Sequence, residues 1–176
     1  MRPADLTPVA RDVMKGPAAP GLIFFSLLAA YLFAMLPWSG TWLLARPDLV
    51  LLVLLFWTLH EPRAAGQGLA FAIGLLMDVS DSMLLGQHAL AYVVAVYGAQ
   101  VLRVRILSFH LPEQSLHVLG LAMVAACVTL LLNVLLGADF PGLAYFVSPV
   151  LTAALWGPAT AILYAPVVRR RREAPP

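Results

Sequence analysis

The chain has 176 residues, 61% of them hydrophobic and only 11% charged, where soluble domains carry about 25% charge. That composition, with a mean hydropathy of +0.87, argues for membrane residence throughout; no stretch between apolar runs exceeds about twenty residues, too few for a separate cytosolic ATPase or periplasmic enzyme domain. The formal charge of +2 and pI near 9.0 arise at the edges of the apolar runs, which fits membrane topology and anionic headgroups rather than nucleic acid.

Residues 1–20 hold four prolines and mixed charges and read as a cytoplasmic tail. Within it, LTPVARDVMK has the start signals of a short surface helix, Thr7 as cap and Pro8 in the first turn, and is equally compatible with disorder. A first span is predicted over residues 21–36, ended by Pro37, with Trp38 and Trp42 at interfacial positions in a short outer loop. It follows Lys15 as a signal peptide would, but AMLPWSGTW lacks a small-x-small cleavage site, so it reads as a retained helix.

A second span, 47–59, opens with Pro47 and Asp48: proline needs no amide donor there, and the aspartate complements the helix dipole. About a dozen apolar residues cover only ~20 Å before His60-Glu61-Pro62-Arg63, short of a ~30 Å hydrocarbon core. Either the helix continues through buried polar positions or the bilayer thins locally. Span three is predicted over 64–79 and span four over 85–102, joined by an outer turn at Ser80-Asp81-Ser82. The run RVRILSFHLPEQ, 103–114, reads as the largest cytoplasmic loop, lying along headgroups or touching a partner. Span five covers 115–137, Asp139-Phe140-Pro141-Gly142 turns the chain, and span six covers 146–168 with a kink at Gly157-Pro158.

Charge fixes the expected orientation. Ten of the eleven basic residues, Arg2, Arg11, Lys15, Arg63, Arg103, Arg105, Arg169, Arg170, Arg171 and Arg172, fall on one side of six crossings, and only Arg46 falls opposite. The positive-inside rule then places both termini in the cytoplasm, with a transmembrane domain over 21–168 and a basic tail over 169–176. Arg103, Arg105 and the four terminal arginines are candidate cytoplasmic contacts, although topogenic, lipid-facing charge is the commoner role for such residues.

Asp78 is the principal candidate for chemistry. With an apolar core starting at Gly68 it lies ~15 Å along the helix, near midplane; with a start at Ala64 it approaches the outer face. Intramembrane carboxylates are costly and often functional, while the competing reading is a helix-end carboxylate held by the amides of the outer turn. Gly66, Ala70, Gly74 and Asp78 are spaced by four, so a neighbouring helix can approach closely on that face and cover the aspartate, with Gln87 and His88 the expected neighbours. Asn133, Ser148, Thr152, Thr160 and Tyr164 read as helix-pairing polar groups, and Trp57, Tyr92, Tyr97 and Trp156 as belt or packing aromatics. The single Cys127 reads as a packing residue. Asp78, Asp81 and His88 are too few and too loosely spaced for a metal site. There is no glycine-rich phosphate loop, no serine-histidine-acid set and no CDP-alcohol phosphotransferase signature, so neither an enzyme nor a cofactor is expected.

The run RPDLVLLVLLFWTLHEPRAAGQGLAFAIGLLMDVSDSMLLGQHALAY resembles the most recognisable part of the MreD family, the rod shape-determining membrane proteins of bacteria. The matching positions are Pro47, Asp48, Trp57, Pro62, Gly68, Gly74, Asp78 and Gly86, and length, six spans, Trp156 and the arginine-rich end extend the likeness over nearly the whole chain. The proline-rich N-terminal tail departs from it. The resemblance implies an all-α, six-helix transmembrane bundle similar to the substrate-binding subunits of ECF-type transporters, in the bacterial inner membrane. It implies a non-enzymatic scaffold of the elongasome with MreC, MreB, RodA and a class B penicillin-binding protein as partners. The architectural similarity keeps a small-molecule or lipid-binding subunit of a transport module as the alternative. Asp48, Trp57, Pro62, Gly66, Ala70, Gly74, Asp78, Gly86 and His88 are the expected partner-binding or structural polar core.

Overall fold

The structure is a computed structural model that describes residues 20–38, 46–81 and 84–173, with side chains described through Ala165. The described residues form helices and turns: α1 (Pro20–Ala34), α2 (Leu49–His60), α3 (Gln67–Ser80), α4 (Gln87–Ser108), α5 (Leu111–Leu135), a 3-10 turn (Leu143–Phe146), α6 (Val147–Ala154) and α7 (Trp156–Glu173). Three segments, Gln87–Ser108, Leu111–Leu135 and Leu143–Ala165, are long and apolar enough to cross a membrane, while α1, α2 and α3 are apolar but shorter. Residues 1–19, with Thr7 and Pro8, and Trp42 and Ser82 lie outside the described residues.

The core is one helix wrapped by the others. A helix apolar on every side has no face for water and lies either inside a bundle or against lipid; α2, LVLLVLLFWTLH, lies inside, with every residue from Val50 to Leu59 buried. It packs against α1, α4, α5, α6 and α7. Trp57, fully buried, ties it to α1 by donating its indole N–H to Ser26 Oγ at 2.8 Å. Its ends, Leu49 and His60, are partly exposed, and the backbone groups beside them are met by side chains of other helices, Thr152 at the start and Arg103 at the end.

α3 and α4 form a tight antiparallel pair. A Cβ added at Gly74 would sit 2.3 Å from Ala89 Cα and 2.6 Å from its N, so only glycine allows the two backbones to approach this closely. Ala70, Gly74 and Asp78 are buried on this face. The neighbour that covers the small-residue stripe is therefore α4 of the same chain.

Two boundaries differ from the sequence reading. The stretch 103–114 is not a loop: α4 runs through Ser108 and α5 begins at Leu111, leaving only an elbow at Phe109-His110. His110 and Glu113 close the start of α5 as a capping box, and Pro112 is tolerated because first-turn amides need no helical acceptor. Arg103 and Arg105 thus sit on a helix. In the last span α6 ends at Ala154, four residues before Pro158, and the chain breaks at Leu155. Pro158 has no N–H for the Ala154 carbonyl, and its ring crowds that same carbonyl, so the disruption falls four residues upstream of the proline.

Gly74→Ala is expected to destabilise the protein by about 1–3 kcal/mol, because the methyl meets backbone rather than a side chain that can swing away. Thermal unfolding of the detergent-solubilised protein measures this; an unchanged melting temperature would show that the α3–α4 contact is looser than described.

Candidate functional site

At the end of the bundle where α2 begins, three helix termini meet, and each presents unsatisfied backbone groups away from water. Asp78, fully buried in the last turns of α3, faces the start of α4. Its carboxylate accepts the backbone N–H of Gly86 at 2.7 Å, of His88 at 2.7 Å and of Ala89 at 3.4 Å. His88 Nδ1 donates to the same carboxylate at 2.9 Å, which leaves Nε2 facing Asp81 Oδ2 at 4.0 Å. A negative charge placed on the orphan donors of a helix N-terminus is favourable on both hydrogen-bond and dipole grounds. Gly86 opens α4 with φ of 106°, a backbone angle that glycine adopts without strain.

Asp48 does the same for α2. Its Oδ1 accepts the Leu51 N–H at 2.9 Å, and the Tyr92 hydroxyl, from α4, donates to both carboxylate oxygens at 2.9 and 2.8 Å. The Asp48 N–H donates to Thr152 Oγ1 at 2.8 Å, and Ser148 Oγ donates to the Arg46 carbonyl at 2.6 Å, so α6 is fastened to the approach to α2. Arg46 has the complementary task. Its guanidinium donates to the carbonyl of Ala34, the last residue of α1, at 3.0 Å, and pairs with Asp81 at 3.3 and 2.8 Å. Burial works against the Arg46 charge, but the hydrogen bond and attraction of Asp81 outweigh it, and its pKa is raised.

At the other end of α2, Arg103 Nε donates to the Leu59 carbonyl at 2.6 Å, a cation on a helix C-terminus. Pro62 lies in the turn that follows, and its carbonyl is 3.7 Å from where a Cβ on Gly66 would be. His60 stacks on Phe56 and meets Tyr164 edge-on. Arg105 is exposed. Arg169, Arg170, Arg171 and Arg172 belong to α7, and their side chains lie outside those described.

The structure therefore brings Asp48, Asp78, Gly86 and His88 to one end of the bundle. Trp57, Pro62 and Gly66 lie towards the other end, with Ala70 and Gly74 along the α3–α4 seam between. Sequence reasoning missed Arg46, Asp81 and Tyr92 as members of the polar cluster. Signals for them existed: Arg46 and Asp81 are opposite charges in turns at the same end, and Tyr92 is four residues after His88 on one helix face. Trp156 is a buried core residue whose indole N–H donates to Gln114 Oε1 at 3.2 Å, and Cys127 is exposed rather than packed inside. Of the expected helix-pairing groups, Ser148 and Thr152 join α6 to the residues before α2, whereas Thr160 bonds back to its own helix at Trp156.

Beside this cluster lies a cavity of about 520 Å3 between α2, α4, α5 and α6. Arg46, Asp48, Asp81 and His88 reach its wall, as does Asn133, but Asp78 is sealed behind His88. Among the described residues no group of three His, Cys, Asp or Glu side chains is placed to hold a metal ion. What the arrangement can do chemically is hold helix ends at fixed positions; the carboxylates are occupied by donors from their own chain.

Residues 17–170 match the profile of the family described as rod shape-determining protein MreD. The Rod shape-determining protein MreD of Haemophilus influenzae is 33% identical over 76 residues, which cover 43% of this chain and 46% of that protein. The match thus spans about half the length of the curated relative. No solved structure matches.

Asp78→Ala strands the buried donors at the start of α4, at about 1–3 kcal/mol for each. The variant is expected to melt well below the wild type, and Asp78→Asn, which keeps one acceptor oxygen, to fall between them. Equal melting of all three proteins in the same detergent would rule out a capping role.

Proposed function

Because the chain belongs to the MreD family of rod shape-determining proteins, we propose that it is a non-enzymatic, multi-pass scaffold of the bacterial inner membrane that positions the wall-elongation machinery. The three long apolar segments and the three shorter apolar helices then form six crossings, α6 and α7 making one of them. Arg63 follows α2 and Arg103 caps it at one end, while Arg46 is at the other. In this reading the first end faces the cytoplasm, as does the α4–α5 elbow.

The observation that carries the scaffold reading is where the bundle's charges go. Asp48, Asp78, Arg46 and Arg103 are each hydrogen-bonded to a helix terminus of the same chain, so the interior is braced rather than poised for a reaction. What remains for other proteins is the outside: large apolar side chains on α1 (Phe24, Phe25, Leu32), α4 (Val101, Val104) and α5 (Leu116, Leu131, Leu135), and basic residues at the cytoplasmic edge. Apolar helix faces suit a single-pass anchor such as that of MreC. Arg105 and Arg169 to Arg172 suit anionic lipid or the cytoplasmic filament protein MreB. RodA and a class B penicillin-binding protein complete the assembly in this reading. A second reading, a small-molecule or lipid-binding subunit of an ECF-type transport module, is favoured by one observation, the cavity beside Asp48.

Affinity purification of the protein from its native membrane, gently solubilised and analysed by mass spectrometry, separates these readings. The scaffold reading expects MreC and wall-synthesis proteins to be recovered. Recovery of an ATPase pair with a coupling subunit, and no wall proteins, would overturn it in favour of transport.

A further inference from the structure

Buried helix hydroxyls in this bundle normally bond back to the carbonyl one turn earlier. Thr58 donates to the Leu54 carbonyl at 2.8 Å, Thr152 to Ser148 at 2.8 Å and Thr160 to Trp156 at 2.7 Å. Thr129, in the middle of α5 and only 7% exposed, makes no such bond and no other side-chain hydrogen bond among the described residues. It lines the cavity. One turn further along, Asn133 also lines it and makes no side-chain hydrogen bond, and Asp139, just past the end of α5, is the same. Thr129 is buried in the bundle but sits on the cavity wall, Asn133 is half-buried and Asp139 is exposed, so each is open to a partner that enters the cavity.

The room in front of these groups is made by small side chains. Ala122, Ala125 and Ala126 of α5 face Ala91 of α4 across the cavity, where larger residues would close the interface. The resulting volume, about 520 Å3, falls within the ~300–1,000 Å3 of small-molecule sites. Three carboxylates line it, Asp48, Asp81 and Asp139, against the one guanidinium of Arg46. Arg46 is engaged by Asp81 and Ala34, and Asp48 by Leu51 and Tyr92, so the acceptors left over are Asp139 and Asn133.

We propose that this cavity binds a small amphipathic amine: an apolar body against the alanines of α4 and α5, a hydroxyl-accepting contact at Thr129, and an ammonium head at Asn133 and Asp139. The same chemistry is found in a free solute and in the ethanolamine head of a phospholipid. The site does not depend on a transport role, since a ligand seated between α4, α5 and α6 would brace a scaffold equally well.

The test uses the full chain in phosphatidylcholine nanodiscs, titrated with dansylcadaverine, a fluorescent amphipathic primary amine, and with its N-acetylated form as the uncharged control. Saturable binding of the amine above that of empty nanodiscs is expected, with the acetylated form weaker by about tenfold or more. Asp139→Asn, at an exposed position that leaves the fold intact, is expected to weaken the amine about tenfold and leave the acetylated probe unaffected. Ala125→Phe, which fills the cavity, is expected to abolish both. Competition by added phosphatidylethanolamine assigns the site to a lipid head, and its failure to compete assigns it to a free amine. Absence of saturable binding, equal affinity for the two probes, or an Asp139→Asn protein that binds the amine like wild type overturns the proposal. This reads the cavity alone, so it can fail while the scaffold reading stands, and partner recovery can fail while the cavity binds.

Discussion

Apolar surroundings leave a helix terminus nowhere to send its unpaired N–H and C=O groups, and the short helices of this bundle make that constraint acute. α2 rises only ~18 Å over its twelve residues, and its end residues Leu49 and His60 are partly buried among the other helices. The solution is an exchange of caps. Asp48 serves the N-terminus of its own helix, Arg103 of α4 its C-terminus, Asp78 of α3 the N-terminus of α4, and Arg46 the C-terminus of α1. Each charge has the sign that the dipole of its terminus favours. Because three of the four caps reach across to a helix other than the one they adjoin, capping and tertiary packing are one event.

The caps also explain why a face of glycine and alanine matters. Asp78 reaches the amides of Gly86, His88 and Ala89 only if α3 and α4 touch along Gly74, where there is no space for a side chain. The stripe Gly66/Ala70/Gly74 is therefore tied to the carboxylate one turn beyond it, and the two features make one unit. A bundle fastened in this way is suited to holding partners at fixed relative positions, since its helices cannot slide without stranding buried donors.

Much of the architecture was legible because it is local. Pro47-Asp48 marks the start of α2, the dozen apolar residues before His60 mark it as short, and spacing by four puts Asp78 on the same face as Gly66, Ala70 and Gly74. The elbow at Phe109-His110 was not legible, because Arg103 and Arg105 resemble a loop flank by charge, although Arg103 caps a helix 44 residues away. Tyr92 shares a helix face with His88, but that spacing does not pair it with Asp48, 44 residues away, and a span tyrosine reads equally as packing. Thr129 and its neighbouring cavity were invisible for a similar reason: a helical threonine is expected to satisfy itself, and only coordinates reveal one that does not.

Family membership supplies the link to cell shape, and the capped bundle supplies a physical reason for a protein with no soluble domain among its described residues to contribute to it. The most direct measurement of that link is cell shape in a strain whose only copy carries Asp78→Asn, at membrane levels matched to wild type. The account predicts rounded or swollen cells, because a weakened α3–α4 cap lets the bundle lose its geometry even when the protein is present. Normal rods at matched levels would contradict it, and would place the shape-determining role of this protein outside its buried polar cluster.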